Sequence, residues 1–409
     1  MPGELRTIDD LDVAGRRVFL RADLNVPLTP AWSGTPVDVA DDSRIRAALP
    51  TINELRARGA RLILASHLGR PKGHDPALSM RPVAARLSDL IGVPVALAPD
   101  VVGPAVLTLT EALVPGEVMM LENVRYERGE TKNDAGLVSA LAELADVYVD
   151  DAFGTAHRAH ATTEGIAHLL PCAAGRLMER EVATLSSILA EPRRPLVAVL
   201  GGAKVADKIG VVERFLEIAD VLCVGGAMAF PFLAAQGHRV GDSRCADEDV
   251  ETARRVMTAV HASRCRLELP HDLLLARTSP GLDGSESAPH HLDGIDVPRG
   301  WAGLDIGPAT AAWFGREIGK GGTVFWNGPM GRFEQPAFAG GTRAVAQAIA
   351  SASAISVAGG GETVEALRMF GLAGEVTHVS TGGGATLEFL EGRELPGVTV
   401  LRTAAPAMR

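Results

Sequence analysis

The sequence predicts an α/β fold made of two doubly wound, parallel-sheet (Rossmann-like) domains joined by a hinge helix. Three observations support this fold class. With 409 residues, the chain is too long for one compact core. Short apolar runs alternate with segments of helical periodicity, which is typical of a parallel sheet with crossover helices. The chain also has 45 glycines and only 4% aromatic residues, which suits tight turns and close packing of helices on sheets.

The first half of the chain shows this alternation. We predict strands at residues 17–24, 61–65, 93–97, 118–121 and 147–149. A first helix is predicted to begin at Arg44, after the N-cap candidate Asp42, and to end at Gly59. Two further helices are predicted at residues 81–91 and 135–144, and the segment rich in Pro, Gly and Ser predicts a loop at residues 30–36.

Polar and cationic residues directly follow four of these strands. They are Asp23 and Asn25, His67 and Arg70, Arg125, and His157 and Arg158. Arg44 opens the helix after the first strand. Ligands of parallel sheets gather beyond the carboxyl ends of the strands, and guanidinium groups bind carboxylate and phosphate bidentately. A single arginine could equally form a surface ion pair, but the whole set favours an anion site.

A helix predicted at residues 176–189 separates the two halves, because Pro192 and Pro195 interrupt the pattern after it. We therefore predict four segments. They are a first domain at residues 1–175, an interdomain helix at 176–192, a second domain at 193–390 and a tail at 391–409.

The stretch from Pro195 to Phe215 opens the second domain and predicts a phosphate site. A buried strand at residues 196–200 is followed by Gly201 and Gly202 and then by a helix. Lys204 and Lys208 lie four residues apart, on one face of its first turns. Backbone N–H groups and the helix dipole attract an anion at such a position. The alternative is an ordinary strand–helix unit with two solvated lysines.

Further predicted strands of this half also end in glycine-containing turns, which let a backbone approach a ligand closely. The strands predicted at residues 221–224, 324–326, 355–358 and 376–380 are followed by turns that contain Gly225–Gly226, Gly328, Gly359–Gly361 and Gly382–Gly384, whereas the strand predicted at 266–269 is followed by Pro270. A nucleotide is the natural ligand, although tight helix–strand packing would explain any single turn. Neither GxxxxGK[ST] nor GxGxxG after a strand is present, which excludes P-loop enzymes and ordinary dinucleotide-binding domains.

Composition excludes several other classes of protein. The net charge of −10 argues against nucleic-acid binding, which needs a basic face. The four cysteines form no CxxC pair, so we expect free thiols in a reducing cytoplasm and no zinc site. The N-terminal residues lack the apolar segment of a signal peptide, and the uncharged run at residues 221–237 is too interrupted to span a membrane.

Long motifs in this order resemble the phosphoglycerate kinase family over nearly the whole chain. They are RADLNVP (21–27), SHLGRPKG (66–73), LENVRYERGE (121–130), DDAFGTAHRAHA (150–161), LGGAKVADKI (200–209), GLDIGP (303–308), FWNGPMGRFE (325–334), AGGGET (358–363) and STGGGATLEFLEG (380–392). The resemblance implies that the N-terminal domain binds 3-phosphoglycerate and that the C-terminal domain binds Mg-ATP. It also implies hinge-bending closure of the two domains, a monomer, and a tail that packs back on the first domain.

The resemblance implies site residues wherever a motif matches. Those for 3-phosphoglycerate would be Asp23, Leu24, Asn25, Arg44, His67, Leu68, Gly69, Arg70, Arg125 and Arg158. Those for the nucleotide would be Gly202, Lys208, Gly226, Gly303, Leu304, Asn327, Pro329, Glu334, Gly360, Gly361, Glu362 and Thr363. The catalytic cations around the phosphoryl group in transit would be Arg44, Lys204 and Lys208. Glu362 would bind Mg²⁺ together with the nucleotide phosphates, although the family usually has Asp there.

The implied reaction is the reversible transfer of the ATP γ-phosphoryl group to the carboxylate of 3-phosphoglycerate, giving 1,3-bisphosphoglycerate and ADP in glycolysis and gluconeogenesis. A carboxylate, with a pKa of about 4, needs no general base, and the sequence supplies cations instead of an activated nucleophile. The alternative is a catalytically weakened paralogue that acts as a nucleotide-binding regulator. Glu362 and Ala227, which replaces a usual glycine, keep that alternative open.

Overall fold

The computed structural model describes residues 3–30, 37–205, 208–260, 262–278 and 288–402. The chain divides into two compact units, which we describe separately. The first comprises Met1–Ala183 and Glu394–Arg409, and the second comprises Thr184–Arg393. The division between Ala183 and Thr184 falls inside one long helix, α5, whose bounds follow below.

The first unit alternates strands and helices along the chain. Its elements are β1 (Arg17–Arg21), α1 (Ser43–Ala57), β2 (Arg61–Ala65), α2 (Arg81–Ile91), β3 (Val95–Leu97), α3 (Pro104–Ala112), β4 (Val118–Met120), α4 (Ala135–Glu143), β5 (Val147–Asp150), β6 (Cys172–Ala174) and the beginning of α5 (Arg176–Ala190). All six strands pair in parallel, in the order β3-β4-β2-β1-β5-β6.

The sequence explains why β1 lies inside this sheet. Val18, Phe19 and Leu20 are fully buried, as expected for a strand covered on both faces. Phe19 lies opposite Ile63 of β2 on one side and Tyr148 of β5 on the other. One hydrophobic core joins the side chains of this sheet to the apolar face of α1, as the helical spacing predicts.

The second unit repeats the same alternation. Its elements are the end of α5, β7 (Leu196–Leu200), α6 (Ile209–Ile218), β8 (Val221–Val224), α7 (Ala229–Ala235), α8 (Asp247–Val260), β9 (Arg266–Glu268), β10 (Leu273–Arg277), β11 (His290–Leu292), β12 (Trp301–Ile306), α9 (Pro308–Lys320), β13 (Thr323–Asn327), α10 (Gly340–Ser351), β14 (Ile355–Gly359), α11 (Gly361–Met369), β15 (His378–Val379) and α12 (Gly384–Leu390). Its parallel sheet has the order β15-β14-β13-β7-β8-β9.

A second, smaller sheet differs from the sequence prediction. Strands β11, β10 and β12 form an antiparallel sheet in that order. The richness of residues 277–298 in Ser, Gly, Asp and His predicts a surface loop, but this segment is not wholly a loop, because β11 lies within it. β11 is short and mostly exposed, so it carries little of the apolar alternation by which strands are recognised.

The predicted fold class of two parallel-sheet α/β domains is confirmed. After Arg393 the chain belongs to the first unit, where α13 (Pro396–Thr399) lies. The backbone N–H of Arg6 donates to Leu401 O at 3.0 Å, and Gly397 N–H donates to Ala156 O at 2.9 Å. Parts of three predicted loops or tails lie outside the described residues, namely 31–36, 279–287 and 403–409.

Candidate active site

The sheet order of the first unit brings the predicted anion-site residues to one edge. Strands β4, β2, β1 and β5 are consecutive neighbours, and all are parallel. The residues after these four strands therefore line a single edge of the sheet, as the sequence predicted. Among them are Arg125 after β4, His67 after β2, Asp23 after β1 and Arg158 after β5.

Buried hydrogen bonds fasten the loops at this edge to one another. Leu24 N–H donates to the Ser66 hydroxyl at 2.9 Å, and Gly69 N–H donates to Asn25 Oδ1 at 2.8 Å. The buried Asn123 binds Leu68 on both sides, accepting its N–H at 3.2 Å and donating to its carbonyl at 2.7 Å. Because each loop is hydrogen-bonded to its neighbour, the backbone positions from which the cationic side chains extend are fixed.

The positive charge of this edge exceeds what its acidic residues neutralise. Arg44 forms an ion pair with Asp23, and Arg125 donates to the carbonyl of Gly69 at 2.6 Å. Burial lowers the pKa of Arg125, and repulsion from Arg158 lowers it further. A nearby cavity of about 580 Å³ is lined by Arg70, Lys72, Arg125, Arg128, Lys132, Arg158 and His160, among others. Such crowding of cations favours a bound anion.

His67 lies in the middle of the arginines and is neutral. Only 5% of its surface is exposed, and burial holds its pKa far below the usual 6.5. Repulsion by four guanidinium groups adds to this effect; they belong to Arg21, Arg125, Arg44 and Arg158. The electrostatic influence of Arg44, Arg125 and Arg158 on one ring shows that the structure brings these predicted site residues together.

Two other histidines lie in this region. His160 stays uncharged, and His157 forms a hydrogen bond with its neighbour Arg158. Burial, followed by repulsion from Arg21, lowers the pKa of His160 to about 4. His157 accepts a hydrogen bond at Nε2 from Arg158 Nε, at 3.0 Å. Both residues therefore act as neutral hydrogen-bonding or packing groups of this region.

In the second unit, three glycine turns come together where β7, β8 and β13 end. Gly201 N–H donates to Asn327 O at 2.9 Å, and Gly202 N–H donates to Pro329 O at 3.0 Å. Gly226 has φ +64°, and a Cβ there would lie 2.7 Å from Pro329 O and 2.8 Å from Gly202 N. No other residue type fits this approach of three backbone segments without displacing one of them.

Lys208 is built into these turns, whereas Lys204 is not. The Lys208 ammonium donates to Gly201 O at 2.6 Å and to Asn327 O at 3.2 Å. Lys204 is exposed and lies near the edge of the described stretch that ends at residue 205. The predicted pairing of the two lysines on one helix face is therefore wrong, because α6 begins only at Ile209.

A cavity of about 420 Å³ opens beside these turns. Seven predicted nucleotide residues line it, namely Gly202, Gly226, Gly303, Leu304, Pro329, Glu334 and Glu362. Its walls also include Phe230, Leu273, Ala302 and Met330, which give it an apolar side. Gly303 packs directly against Phe230, because a Cβ at that position would lie only 2.2 Å from an atom of the Phe230 ring. An apolar wall beside exposed backbone groups suits a base joined to phosphates.

The remaining predicted nucleotide residues support the turns from behind. The Asn327 amide donates to Gly359 O at 2.8 Å, and the Thr363 hydroxyl accepts Gly328 N–H at 2.7 Å. Gly360 has φ +92° and precedes α11, and a Cβ there would lie 2.8 Å from the Asn327 amide nitrogen. Gly361 begins α11, whose first turn directs backbone N–H groups outward.

Glu362 is placed where a carboxylate could share a divalent cation with a nucleotide. It is exposed, lines the cavity and lies in the first turn of α11. Its Oε2 lies 4.0 Å from where a Cβ of Gly202 would stand. Mg²⁺ in nucleotide sites is held by one or two carboxylates together with phosphate oxygens, so a single carboxylate fits. Within the described residues, no group of three or more His, Cys, Asp or Glu forms a metal site.

Sequence reasoning missed several residues of both sites. Arg21 is almost fully buried behind His67, and an Arg inside an otherwise apolar strand is a signal that could have identified it. Asn123 and Ser243 were missed because they bind backbone groups, the latter accepting Gly303 N–H at 2.9 Å. Asp242 and Arg244 line the nucleotide cavity, but they come from a turn with no recognisable motif.

The fold and the two cavities define the class of this protein, which is a two-domain α/β protein with an anion-binding cavity in each unit. Among the helices that the structure describes, none is both long and apolar enough to cross a membrane.

Comparison with known proteins identifies the family. The phosphoglycerate kinase family model matches residues 8–393. Curated relatives named phosphoglycerate kinase are 49% identical in Moorella thermoacetica over 397 residues and 50% identical in Desulforudis audaxviator over 400 residues. These alignments cover 97% of this chain in both cases, with 98% and 99% of the respective relative. The chain therefore belongs to the phosphoglycerate kinase family.

Solved structures agree with this assignment. Phosphoglycerate kinase from Coxiella burnetii superposes with a TM-score of 0.86 at 38% identity, covering 97% of this chain and 99% of that one. The enzyme from Pyrococcus horikoshii superposes with a TM-score of 0.81 at 32% identity, covering 97% and 98%.

Proposed function

We propose that this protein catalyses the reversible transfer of the ATP γ-phosphoryl group to the carboxylate of 3-phosphoglycerate, giving 1,3-bisphosphoglycerate and ADP. The observation that carries the proposal is the cluster of arginines around the neutral His67 in the first unit. Membership of the family supports these particular substrates, because the curated relatives are named phosphoglycerate kinase.

The first unit supplies the acceptor site. Arg44, Arg125 and Arg158 offset the negative charge of the phosphate and carboxylate, and Asp23, Asn25 and Arg70 complete the contacts along the strand ends. Backbone groups of Leu24, Leu68 and Gly69 are held by neighbouring loops, so little reorganisation is needed when the substrate binds. The acceptor carboxylate is already ionised, so no residue has to remove a proton.

The second unit supplies the nucleotide site. The base and ribose occupy the cavity beside Leu304, Pro329 and Glu334, and the phosphates extend toward the turns at Gly202 and Gly360. Lys208 stays beside these turns and meets the transferred group, and Lys204 reaches it when both ligands are present. Mg²⁺ bound to the nucleotide phosphates and Glu362 neutralises phosphate charge.

Transfer is in line and direct, and it follows hinge-bending closure of the two units. Phosphoryl transfer depends chiefly on positioning and on stabilisation of negative charge, which Arg44, Lys204 and Lys208 provide. Closure that requires both ligands would protect ATP from hydrolysis by excluding water. Support for separate binding sites comes from the two compact units, each with its own cavity.

We also propose that the protein is a cytoplasmic monomer without nucleic-acid or membrane partners. Its four cysteines are free thiols, and its net charge of −10 disfavours polyanions other than those drawn to a local cationic site.

An assay of the purified protein with ATP, Mg²⁺ and 3-phosphoglycerate tests the proposed reaction. We expect ADP to form only when 3-phosphoglycerate is present, together with an acyl phosphate that hydroxylamine traps. A matched reaction with 2-phosphoglycerate controls for substrate-independent hydrolysis. Nucleotide binding without any acyl phosphate would contradict the kinase and support a weakened, regulatory paralogue instead.

A further inference from the structure

We propose that Arg21 is a positioning residue that fixes the tautomer of His67, so that His67 donates a hydrogen bond from Nε2 to 3-phosphoglycerate. The inference deepens the proposed function and rests on it for the identity of the ligand. It assigns a role to a buried cation that opens the RADLNVP motif but lines neither cavity.

The guanidinium group of Arg21 is held on three sides. The side chain is 1% exposed and extends from the end of β1. Its Nε donates to the Thr162 hydroxyl at 3.0 Å, its Nη1 donates to the carbonyl of Ala22, and its Nη2 lies 3.1 Å from His67 Nδ1.

The chemistry of guanidinium decides which atom carries the proton between Arg21 and His67. An arginine side chain has only donors, so His67 Nδ1 must be the acceptor and must carry a lone pair. The His67 ring is neutral, because burial and the surrounding arginines disfavour its charged form. A neutral imidazole with a lone pair on Nδ1 has its proton on Nε2.

A second layer of buried groups prevents Arg21 from turning away. The Thr162 hydroxyl that accepts from Arg21 donates in turn to Glu130 Oε1 at 2.6 Å, and Thr162 N–H donates to Glu130 Oε2 at 3.1 Å. The Tyr148 hydroxyl donates to Thr162 O at 2.8 Å. Glu130 is 1% exposed, and burial raises its pKa, while the adjacent charge of Arg21 and the hydrogen bonds from Thr162 oppose that rise. The network thus fixes the guanidinium, and the guanidinium fixes the imidazole.

For ligand binding, this tautomer makes the His67 ring a neutral hydrogen-bond donor that is surrounded by cationic side chains. Nε2–H is the remaining polar group of the His67 ring, and it can donate to a phosphate or carboxylate oxygen. A neutral donor adds no repulsion to a site that already contains Arg44, Arg125 and Arg158. The opposite tautomer would present a lone pair and would repel the oxygens of the ligand.

Nuclear magnetic resonance of ¹⁵N-histidine-labelled protein tests the tautomer directly. Long-range ¹H–¹⁵N spectra at pH 7 distinguish a protonated from an unprotonated ring nitrogen, and the spectrum of the His67→Gln variant assigns the His67 signals. We expect Nε2 to be protonated and Nδ1 to be bare in the wild type. Protonation at Nδ1, or at both nitrogens, would overturn the proposal.

Substitution of Arg21 tests the positioning role. In Arg21→Met, we expect His67 to lose its single tautomer and the KM for 3-phosphoglycerate to rise about tenfold, as for one lost hydrogen bond to a charged group, with a smaller change in kcat. Arg17→Met is the matched control, because Arg17 lies on the same strand and binds Asp146 at 2.8 Å, at the other end of β1. An unchanged tautomer and KM in Arg21→Met would overturn the proposal.

A second pair of variants keeps the test valid if Arg21→Met does not fold. In His67→Gln, the amide oxygen can accept from Arg21 while the amide nitrogen donates to the ligand, so we expect the KM to stay within a few-fold of wild type. In His67→Met both bonds are lost, and we expect a rise of about tenfold. Equal KM values for the two variants would count against a donor at Nε2. If the wild type transfers no phosphoryl group, the proposed function fails while the spectrum still decides the tautomer.

Discussion

The first unit lines its cavity with guanidinium groups, whereas the second unit exposes backbone at glycine turns. Arg70, Arg125 and Arg158 reach into the first cavity as side chains. In the second, Gly202 and Gly226 make room by having no side chain, and Lys208 is bound to backbone carbonyls beside them. Both cavities are suited to anions, but the first relies on cationic side chains and the second on backbone groups left accessible by glycines.

The difference follows from the shapes of the two proposed ligands. A small, compact anion offers charge and little apolar surface, so long cationic side chains are the main source of affinity. A nucleotide joins an apolar base to phosphates, so the second cavity needs an apolar wall and a close approach of the backbone. We therefore expect removal of cationic side chains to have the largest effects in the first unit. In the second unit, we expect replacement of glycines at close backbone contacts to have the largest effects.

The largest expected effect is on turnover, in the first unit. Arg44→Ala removes a guanidinium group that we assign to the phosphoryl group in transit, so kcat should fall about 1,000-fold. The Kd for ADP and the far-ultraviolet circular dichroism should not change. Arg46→Ala is the control, because Arg46 lies on the same helix and forms an exposed pair with Asp42. Comparable kcat values for the two variants would remove Arg44 from the catalytic group.

The next largest effect is expected in the second unit, on ADP affinity, when a glycine at a close contact between backbone segments is replaced. In Gly226→Ala the new Cβ would meet Pro329 O and Gly202 N at a positive φ. We expect a loss of about 2 kcal/mol of stability and at least about a tenfold weaker affinity for ADP. Gly237→Ala is the control, because Gly237 has φ +91° but nothing within 4 Å of its Cβ position. Calorimetric ADP titrations that fail to separate the variants would contradict the role of the close approach.

A smaller effect is expected at Glu362, where the second unit does use a charged side chain. Glu362→Gln should raise the half-saturating Mg²⁺ concentration by about fivefold, or roughly 1 kcal/mol for a partly solvated charge. Glu362→Asp should change the Mg²⁺ titration, since it moves the carboxylate by one methylene. The neighbouring Glu365→Gln is the control, because Glu365 is exposed on α11 but does not line the cavity. Superimposable Mg²⁺ titrations of wild type and Glu362→Gln would exclude this carboxylate from the metal site.

The smallest expected effect concerns a property that the two units share. Burial raises the pKa of Asp150 in the first unit to about 7, and burial raises the pKa of Asp305 in the second unit to about 7. The folded chain therefore holds these protons more tightly than the unfolded chain, whose Asp has a pKa near 3.8. The contribution of these two carboxyl groups to stability should be complete below pH 4 and should be lost as the pH rises through 7.

The Asp150→Asn variant tests the pH dependence of stability in the first unit separately from that in the second. Its amide oxygen can keep the hydrogen bond that Asp150 Oδ1 accepts from Ala152 N–H at 2.9 Å, while the titration is lost. Amide hydrogen exchange between pH 5 and 8 should then show a flatter pH dependence of stability in β1 and β5, with β12 and β13 unchanged. Equal slopes in wild type and variant would show that Asp150 does not titrate in this range.

Much of the candidate site could be predicted from the sequence, because the relevant signals are local. Polar residues after strand ends predicted the edge at which Asp23, His67 and Arg125 lie. Glycine turns predicted the close approach at Gly202 and Gly226. Other features depended on partners distant in sequence. Arg21 contacts Thr162, which lies 141 residues away, and no local pattern predicts that contact.

The sequence alone determined the alternation of strands and helices and the number of parallel-sheet domains. These follow from short-range periodicity, since a strand or helix buries the face that its own residues make apolar. Tertiary structure alone decided the order of strands, the antiparallel sheet around β10 and the place of the lysines. Lys208 contacts two carbonyls, of which Asn327 O is 119 residues away, while Lys204 remains exposed. The two lysines look alike in sequence, and only the packing of separate turns distinguishes them, because a partly buried ammonium group requires carbonyl partners that its neighbours along the chain cannot all supply.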